Sequence, residues 1–409
     1  VTHKNTYITP TEYGALGNGI NDDTEAIQKA IDYITANGGV LRFPGNHTYI
    51  ISKPLKILTS DKSFEIDFGF STISSNSALE ATTINGVSVN SAFYIYTNPS
   101  NQKRIGTIKN LIVDGKYETI HTGLYLHLSS KVYYENINLI NVRRGIYFKQ
   151  GVESFFDNIH MSRESGLDIK TEIDVEATDC IGIDCYATDN HFSNIVAIDF
   201  VIGMKFNPGS GDNRIYGAHI WNYYCKTQYL KSVCFMNAGS NFYTNCVADH
   251  FFAGWYVYGP GSLNLSGCNI TCQAITKALI SNSNAVIPLN SYAFYFGDSN
   301  ATNRTGSDII ADNTRISGDA NNYSESTTLT FSNVADCNIN CSGVIQNCEK
   351  APVPNMPAMV SGTTVIDDKN SSKINQYGGI KSVKKVLDFE DCSTNFSDIA
   401  SKTYNAGAW

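Results

Sequence analysis

Three carboxylates are the candidates for catalysis in this sequence: Asp168, Glu164 and Asp249. Asp168 has the most charged company. Aligning similar short segments of the chain brings Lys149, Lys170 and Lys205 to neighbouring levels around it. Ammonium groups hold a nearby carboxyl ionised, as a base or nucleophile requires. A plain ion-pair cluster has the same pattern. Glu164 lies just before Gly166 and is the candidate partner of Asp168. Asp249, four residues past Asn245, is the other acid candidate, although a turn carboxylate would look the same. Around these groups stand rings and cations that suit ligand contact: Tyr147, Lys149, Lys170, Lys205, Trp221 and Tyr256. Trp221 aligns with Met161, Ala197 and Ala248, so it belongs either to the core or to a flat binding platform. His219 aligns with Leu111, Ile137, Ile159, Ile195 and Cys246, an apolar set that predicts a buried histidine. The acidic stretch Glu172, Asp174, Glu176, Asp179 and Asp184 has no EF-hand spacing and reads as a solvated loop.

These side chains need a scaffold that repeats. Beyond residue 60 the chain is a series of short β-like runs with a recurring third position, at 110, 136, 158, 194, 218, 245 and 267. The steps are 26, 22, 36, 24, 27 and 22 residues, most of them one coil of a β-solenoid. The long step implies an insertion, roughly 171–188. Asn dominates the recurring position, because it tolerates the left-handed backbone and can bond its equivalent in the next coil. A second marker follows each Asn: Gly123-Leu124-Tyr125, Gly145-Ile146-Tyr147, Gly166-Leu167-Asp168, Gly203-Met204-Lys205 and Gly254-Trp255-Tyr256. Here Gly is expected to turn a corner, the apolar residue to point inward and the next residue outward. The outward series is then Tyr125, Tyr147, Asp168, Lys205, Tyr256, followed two residues on by His127, Lys149, Lys170, Asn207, Tyr258. A mixed face of this kind suits a cleft floor, a solvated surface or a contact between subunits.

Only one helix is predicted, over residues 22–37. Asp22 and Glu25 form a capping-box pattern, and Ala26, Ile27, Ala30, Ile31 and Ile34 recur at helical spacing. Such a helix can cover the open end of a stacked coil structure. The expected organisation is a capping segment 1–60, a solenoid 61–350, and a C-terminal segment 351–409 after the break at Pro352, Pro354 and Pro357.

The chain has 409 residues, a net charge of -8 and only 17% charged residues. It has no basic run, so nucleic acid is not an expected partner. No apolar run reaches the roughly 18 residues of a membrane span. Its 24 Tyr among many uncharged polar residues suit carbohydrate, whose faces stack on rings; they also suit a Tyr-rich sheet surface. The 11 Cys form no dense framework and are expected to be mostly reduced, with assembly in a cytosol. No zinc pattern, phosphate loop or nucleophile elbow occurs, and no cofactor is expected. The chain starts at Val1 without Met, so it is expected to be processed or a fragment, with an upstream region missing.

The opening Tyr13-Gly14-Ala15-Leu16-Gly17-Asn18-Gly19-Ile20-Asn21-Asp22-Asp23-Thr24-Glu25-Ala26-Ile27, then Gly38-Gly39-Val40-Leu41-Arg42-Phe43-Pro44-Gly45, resembles the N-terminal signature of pectate-lyase-like proteins. The resemblance implies an all-β, right-handed parallel β-helix with a short capping helix. Ala218-His219-Ile220-Trp221-Asn222, Asn245-Cys246-Val247-Ala248-Asp249 and Gly254-Trp255 resemble segments of bacteriophage tailspike depolymerases. That implies a homotrimer on the virion tail, assembled in the host cytoplasm, that binds and cleaves capsular or O-antigen polysaccharide and joins the tail or baseplate through an upstream segment. The Gly-His-Gly and Arg-Ile-Lys motifs of polygalacturonases and the Trp-Ile-Asp-His motif of calcium pectate lyases are absent, so no catalytic motif carries over. Endo-hydrolysis through two carboxyls is favoured over elimination. A non-enzymatic phage adhesin and a secreted cellular lyase or hydrolase on the same fold are the rivals.

Overall fold

Left-handed turns and inward apolar rows set the architecture. The structure is a computed structural model. It describes residues 7–59, 61–84, 86–97, 106–116, 119–163, 178–221, 232–249, 253–259 and 261–272, and beyond these Thr314 and the strands between Tyr292 and Asp367. The chain divides into two units, one containing the described residues up to 163 with Asp179–Phe200, the other Thr178 and those from Val201 onward. Both are built of parallel, in-register strands, as a parallel β-helix requires.

In the first unit one sheet stacks Phe64–Ser74, Gly106–Asp114, Val132–Ile140, Phe155–Ser162 and His191–Ile198. The second stacks Leu55–Thr59, Ser91–Thr97, Thr122–Ser129, Arg144–Phe148 and Ile181–Cys185. Equivalent residues form continuous core rows. Ile108, Tyr134, Phe156 and Phe192 make one, with successive rings of the last three stacked 4.7 Å apart and parallel to within 9°. Phe93, Leu124, Ile146 and Ile183 make another, each at most 1% exposed. Each such side chain contributes about 1.5–3 kcal/mol on burial.

The Asn positions behave as their chemistry predicts. Asn110, Asn136, Asn158 and Asn194 have φ between 53° and 56°. Asn136 donates to Asn110 (3.0 Å), and Asn158 donates to Asn136 (2.8 Å). The Gly marker has a different cause from the expected corner. A Cβ on Gly145 would lie 2.5 Å from the Gly182 carbonyl and 2.6 Å from Met161 Sδ; one on Gly203 would lie 2.1 Å from Ile220 Cγ2. Glycine is needed there because the facing strand already fills the space.

The helix runs Thr24–Asn37 and buries Ile27, Ala30, Ile31 and Ile34. Its N-cap is Asp23 rather than Asp22, and the predicted capping box is not formed. The Asp23 carboxylate instead accepts the Leu16 and Gly17 amides at 2.7 and 3.0 Å, while Asp22 takes the Thr24 amide at 2.9 Å. None of the helices among the described residues is long and apolar enough to cross a membrane.

The second unit repeats the plan. Ile202–Phe206, Val233–Asn237, Ala253–Val257 and Tyr292–Phe296 form one sheet. Arg214–Tyr216, Asn241–Thr244 and Ser262–Ser266 begin another, and His219–Trp221, Val247–Asp249 and Asn269–Cys272 follow them across the turns. Parallel pairing also takes in Met359–Ser361 and Thr364–Asp367, within the predicted C-terminal segment. Cys180, Cys185, Cys234, Cys246 and Cys268 are buried thiols outside any disulfide, and burial pushes the Cys185 thiol up to about 12.

Candidate functional site

One rung of the second unit is offset by a single residue from the alignment that the repeats predict. The left-handed position is Gly217 (φ 65°), equivalent to Asn245, and not Ala218. Every later residue of that rung therefore changes face. His219 pairs with Val247, Ile220 with Ala248 and Trp221 with Asp249. Ile220, Ala248 and Ile270 are the core row. His219 is thus not a buried core histidine: its side chain is 44% exposed. Trp221 is half-buried on the outward face, beside Asp249, which is its true equivalent instead of Asn222.

The result is an outward trio on two adjacent coils. His219 Nε2 lies 4.0 Å from Asp249 Oδ2, and the Asp249 side chain is 21% exposed. The His219 and Trp221 rings are within 9° of parallel, 6.3 Å apart. A carboxylate beside an imidazole can give or take a proton, and an indole face beside them can stack a sugar ring. Sequence reasoning named Asp249 and Trp221 and missed His219; its visible signal was the glycine at 217, which marks the left-handed turn better than Ala218.

A second outward cluster lies in the first unit, where the structure corrects another register. Asp184, and not Asp168, follows Tyr147 on the next coil. The predicted loop 171–188 contains the strand Ile181–Cys185, and its Gly182-Ile183-Asp184 repeats the Gly-apolar-X marker. Asp184 is not a solvated loop residue: its side chain is 5% exposed and its Oδ2 lies 3.6 Å from Arg144 Nε. The Arg144 guanidinium sits 4.7 Å from the Tyr147 ring centre. Tyr147 packs on Tyr125 at 4.9 Å and meets Tyr186 edge-on at 5.9 Å. Burial pushes Tyr125 and Tyr186 up to about 12, with the Asp184 charge adding to the second. Asp179, from the same acidic stretch, bonds His121 at 3.1 Å and also the Arg143 guanidinium. The His121 hydrogen bond, helped by Arg143 against the burial cost, holds the Asp179 carboxyl well below the usual carboxylate range.

Lys205 and Tyr256 occupy one outward row of the second unit with Met236 between them. They are 8% and 6% exposed, so neither forms an open platform. Lys149 is exposed on the first unit. Asp168, Glu164 and Lys170, with Glu172, Asp174 and Glu176, lie outside the described residues. Among the described residues no His, Cys, Asp and Glu group is placed to hold a metal ion.

No family model matches the chain, and no curated relative is found. Solved structures do match. The gp42 tailspike of Acinetobacter phage vb_AbaP_AS12 aligns with a TM-score of 0.51 at 16% identity, over 84% of this chain and 57% of that one. The enzymatically active domain of tailspike protein 2 from bacteriophage CBA120 gives 0.53 at 14% identity, over 83% and 48%. The full-length form of tailspike protein 2, from an Escherichia coli O157:H7 bacteriophage, gives 0.52 at 14% identity, over 83% and 43%. This chain spans about half the length of the tailspike chains it matches. At these identities the likeness defines architecture, and the chain is a parallel β-helix of the kind on which those tailspikes are built.

Proposed function

We propose that this protein binds a bacterial surface polysaccharide, capsular or O-antigen, and cleaves it internally as a homotrimeric spike on a virion tail. The observation that carries the reading is the outward trio of His219, Trp221 and Asp249 on adjacent coils. It sets a carboxylate and an imidazole side by side next to an aromatic face. The shared architecture with phage tailspikes supports the host context.

Hydrolysis is favoured over elimination. Asp249 would act as acid, base or nucleophile, and His219 would tune and orient it. Hydrolysis usually needs a second carboxyl on the other side of the bond. Asp168 and Glu164 are the further carboxyls that the sequence nominates, with Lys170 as a proposed substrate contact.

The test is incubation with a panel of capsular and O-antigen polysaccharides, following chain length, reducing ends and ultraviolet absorbance together. Shortening with new reducing ends and no absorbance supports hydrolysis. Absorbance from an unsaturated uronate would reassign the chemistry to elimination. Full activity in Asp249→Asn, Asp168→Asn and Glu164→Gln alike would sink the site assignment. Binding without any shortening would make the protein an adhesin.

A further inference from the structure

The second sheet of the first unit presents two outward rows. One runs Tyr94, Tyr125, Tyr147, Asp184. Beside it stand Tyr96, His127, Lys149 and Tyr186; the amides of Lys149 and Tyr186 bond Leu126 and Phe148 on the preceding coils. His127 lies 5.8 to 6.1 Å from the rings of Tyr94, Tyr96 and Tyr125. The hairpin of Thr82–Ile84 and Val87–Val89 packs Ile84, Val87 and Val89 over the Tyr94 end. Away from the hairpin, Tyr186 is 42% exposed and Lys149 is exposed.

Among the described residues the charge at this notch is unbalanced. Asp184 is matched by Arg144. Lys149 makes no ion pair with any described residue. His127 Nδ1 is buried without a hydrogen-bond partner among the described residues. Burial, and then the Lys149 charge, hold the His127 imidazole below its usual range. A cation and a buried ring nitrogen that have no partner among the described residues, beside perpendicular tyrosines, are what a carboxylate-bearing sugar would satisfy. Its ring would stack on Tyr147 or Tyr186, and its carboxylate would meet Lys149 and a protonated His127.

We propose that this notch is a separate subsite for a uronic-acid residue of the glycan. The proposal rests on the reading that the protein takes a polysaccharide, and not on where the chain is cut.

The test is an NMR titration of the His127 imidazole in the whole chain with sodium glucuronate and sodium galacturonate, against glucose and galactose. Either acid is expected to shift the His127 signals and raise its pKa, because a bound carboxylate favours the imidazolium; the neutral sugars are not. Lys149→Met should weaken the acid's binding about tenfold, the loss of one charge-assisted hydrogen bond. Tyr186→Ala should weaken it without moving the His127 titration in the free protein. No shift with either acid, an equal shift with the neutral sugars, or full binding in Lys149→Met overturns the subsite. If the uronate shift persists while no glycan in the panel is shortened, the cleavage reading fails and the subsite stands. If glycans are shortened but no uronate shift occurs, only the subsite fails.

Discussion

Asp184 and Asp249 both project outward from short parallel strands, one in each unit, yet their surroundings differ. Asp184 is 5% exposed, packed among tyrosines, and paired with Arg144 at 3.6 Å. Asp249 is 21% exposed, and its partner 4.0 Å away is the half-open His219. A guanidinium is a permanent cation, so Asp184 has a fixed partner. The partner of Asp249 is an imidazole whose side chain is 44% exposed. An outward position in a coil therefore does not assign a role; the partner and the cover over it do.

The sharpest break between the two carboxylates should be in turnover. Asp249→Asn is expected to lower glycan cleavage by about 10²–10⁴-fold while binding is retained. Asp184→Asn should leave the cleavage rate within a few-fold, as measured by reducing-end release on the same polysaccharide. Stability should show the reverse. Asp184→Ala leaves Arg144 with only 19% of its side chain exposed and without this partner, costing roughly 3 kcal/mol in urea unfolding. Asp249→Ala should cost under about 1 kcal/mol, since the partly exposed 4.0 Å pair contributes little.

Backbone substitutions sharpen the contrast further. Gly203→Ala would drive a Cβ to 2.1 Å from Ile220, the residue between His219 and Trp221. Overpacking of that kind costs about 1–3 kcal/mol, and here it should also displace the trio, so cleavage should fall along with the urea midpoint. Gly145→Ala disturbs the Met161 contact in the first unit and should lower stability with less effect on cleavage. In the Asn ladder, Asn136→Ala should cost about 2 kcal/mol, for a left-handed backbone and two side-chain hydrogen bonds. Asn136→Gly, which keeps the backbone at ease, should cost about half as much. Equal losses would show that the hydrogen bonds dominate.

The smallest effect is a pH dependence confined to the first unit. The Asp179 carboxyl is held below its unfolded range, chiefly by the His121 hydrogen bond. Its contribution is therefore full above the unfolded carboxylate range near pH 4 and is lost as pH falls through the lower folded value. Asp179→Asn should lower the urea midpoint at pH 7 and lose less than the parent between pH 7 and pH 3. An identical slope in parent and variant would remove Asp179 from the acid response.

Much of the fold was legible in the sequence because its causes are local. An Asn in the left-handed region, a Gly where the opposite strand leaves no room and an apolar run at helical spacing each leave a mark within a few residues. So the coils, the inward rows of Leu124, Ile146 and Met204 and the buried face of the helix could be read directly. The candidate site was legible only in part. Asp249 and Trp221 were named, but His219 was placed in the core because Ala218 was aligned where Gly217 belongs. Asp168 is expected next to Tyr147 because 171–188 reads as an insertion, whereas its Gly182-Ile183-Asp184 supplies that rung.

The sequence by itself determined that the chain would coil in parallel strands with polar, aromatic faces turned outward. Only the tertiary structure decided which side chains share a face and a neighbour: Asp184 with Arg144 and Tyr147, and His219 with Trp221 and Asp249. The reason is the two-residue period of a strand. A slip of one residue costs nothing in local propensity yet exchanges core for surface, so the choice rests with hydrogen-bonded register against the adjacent coil.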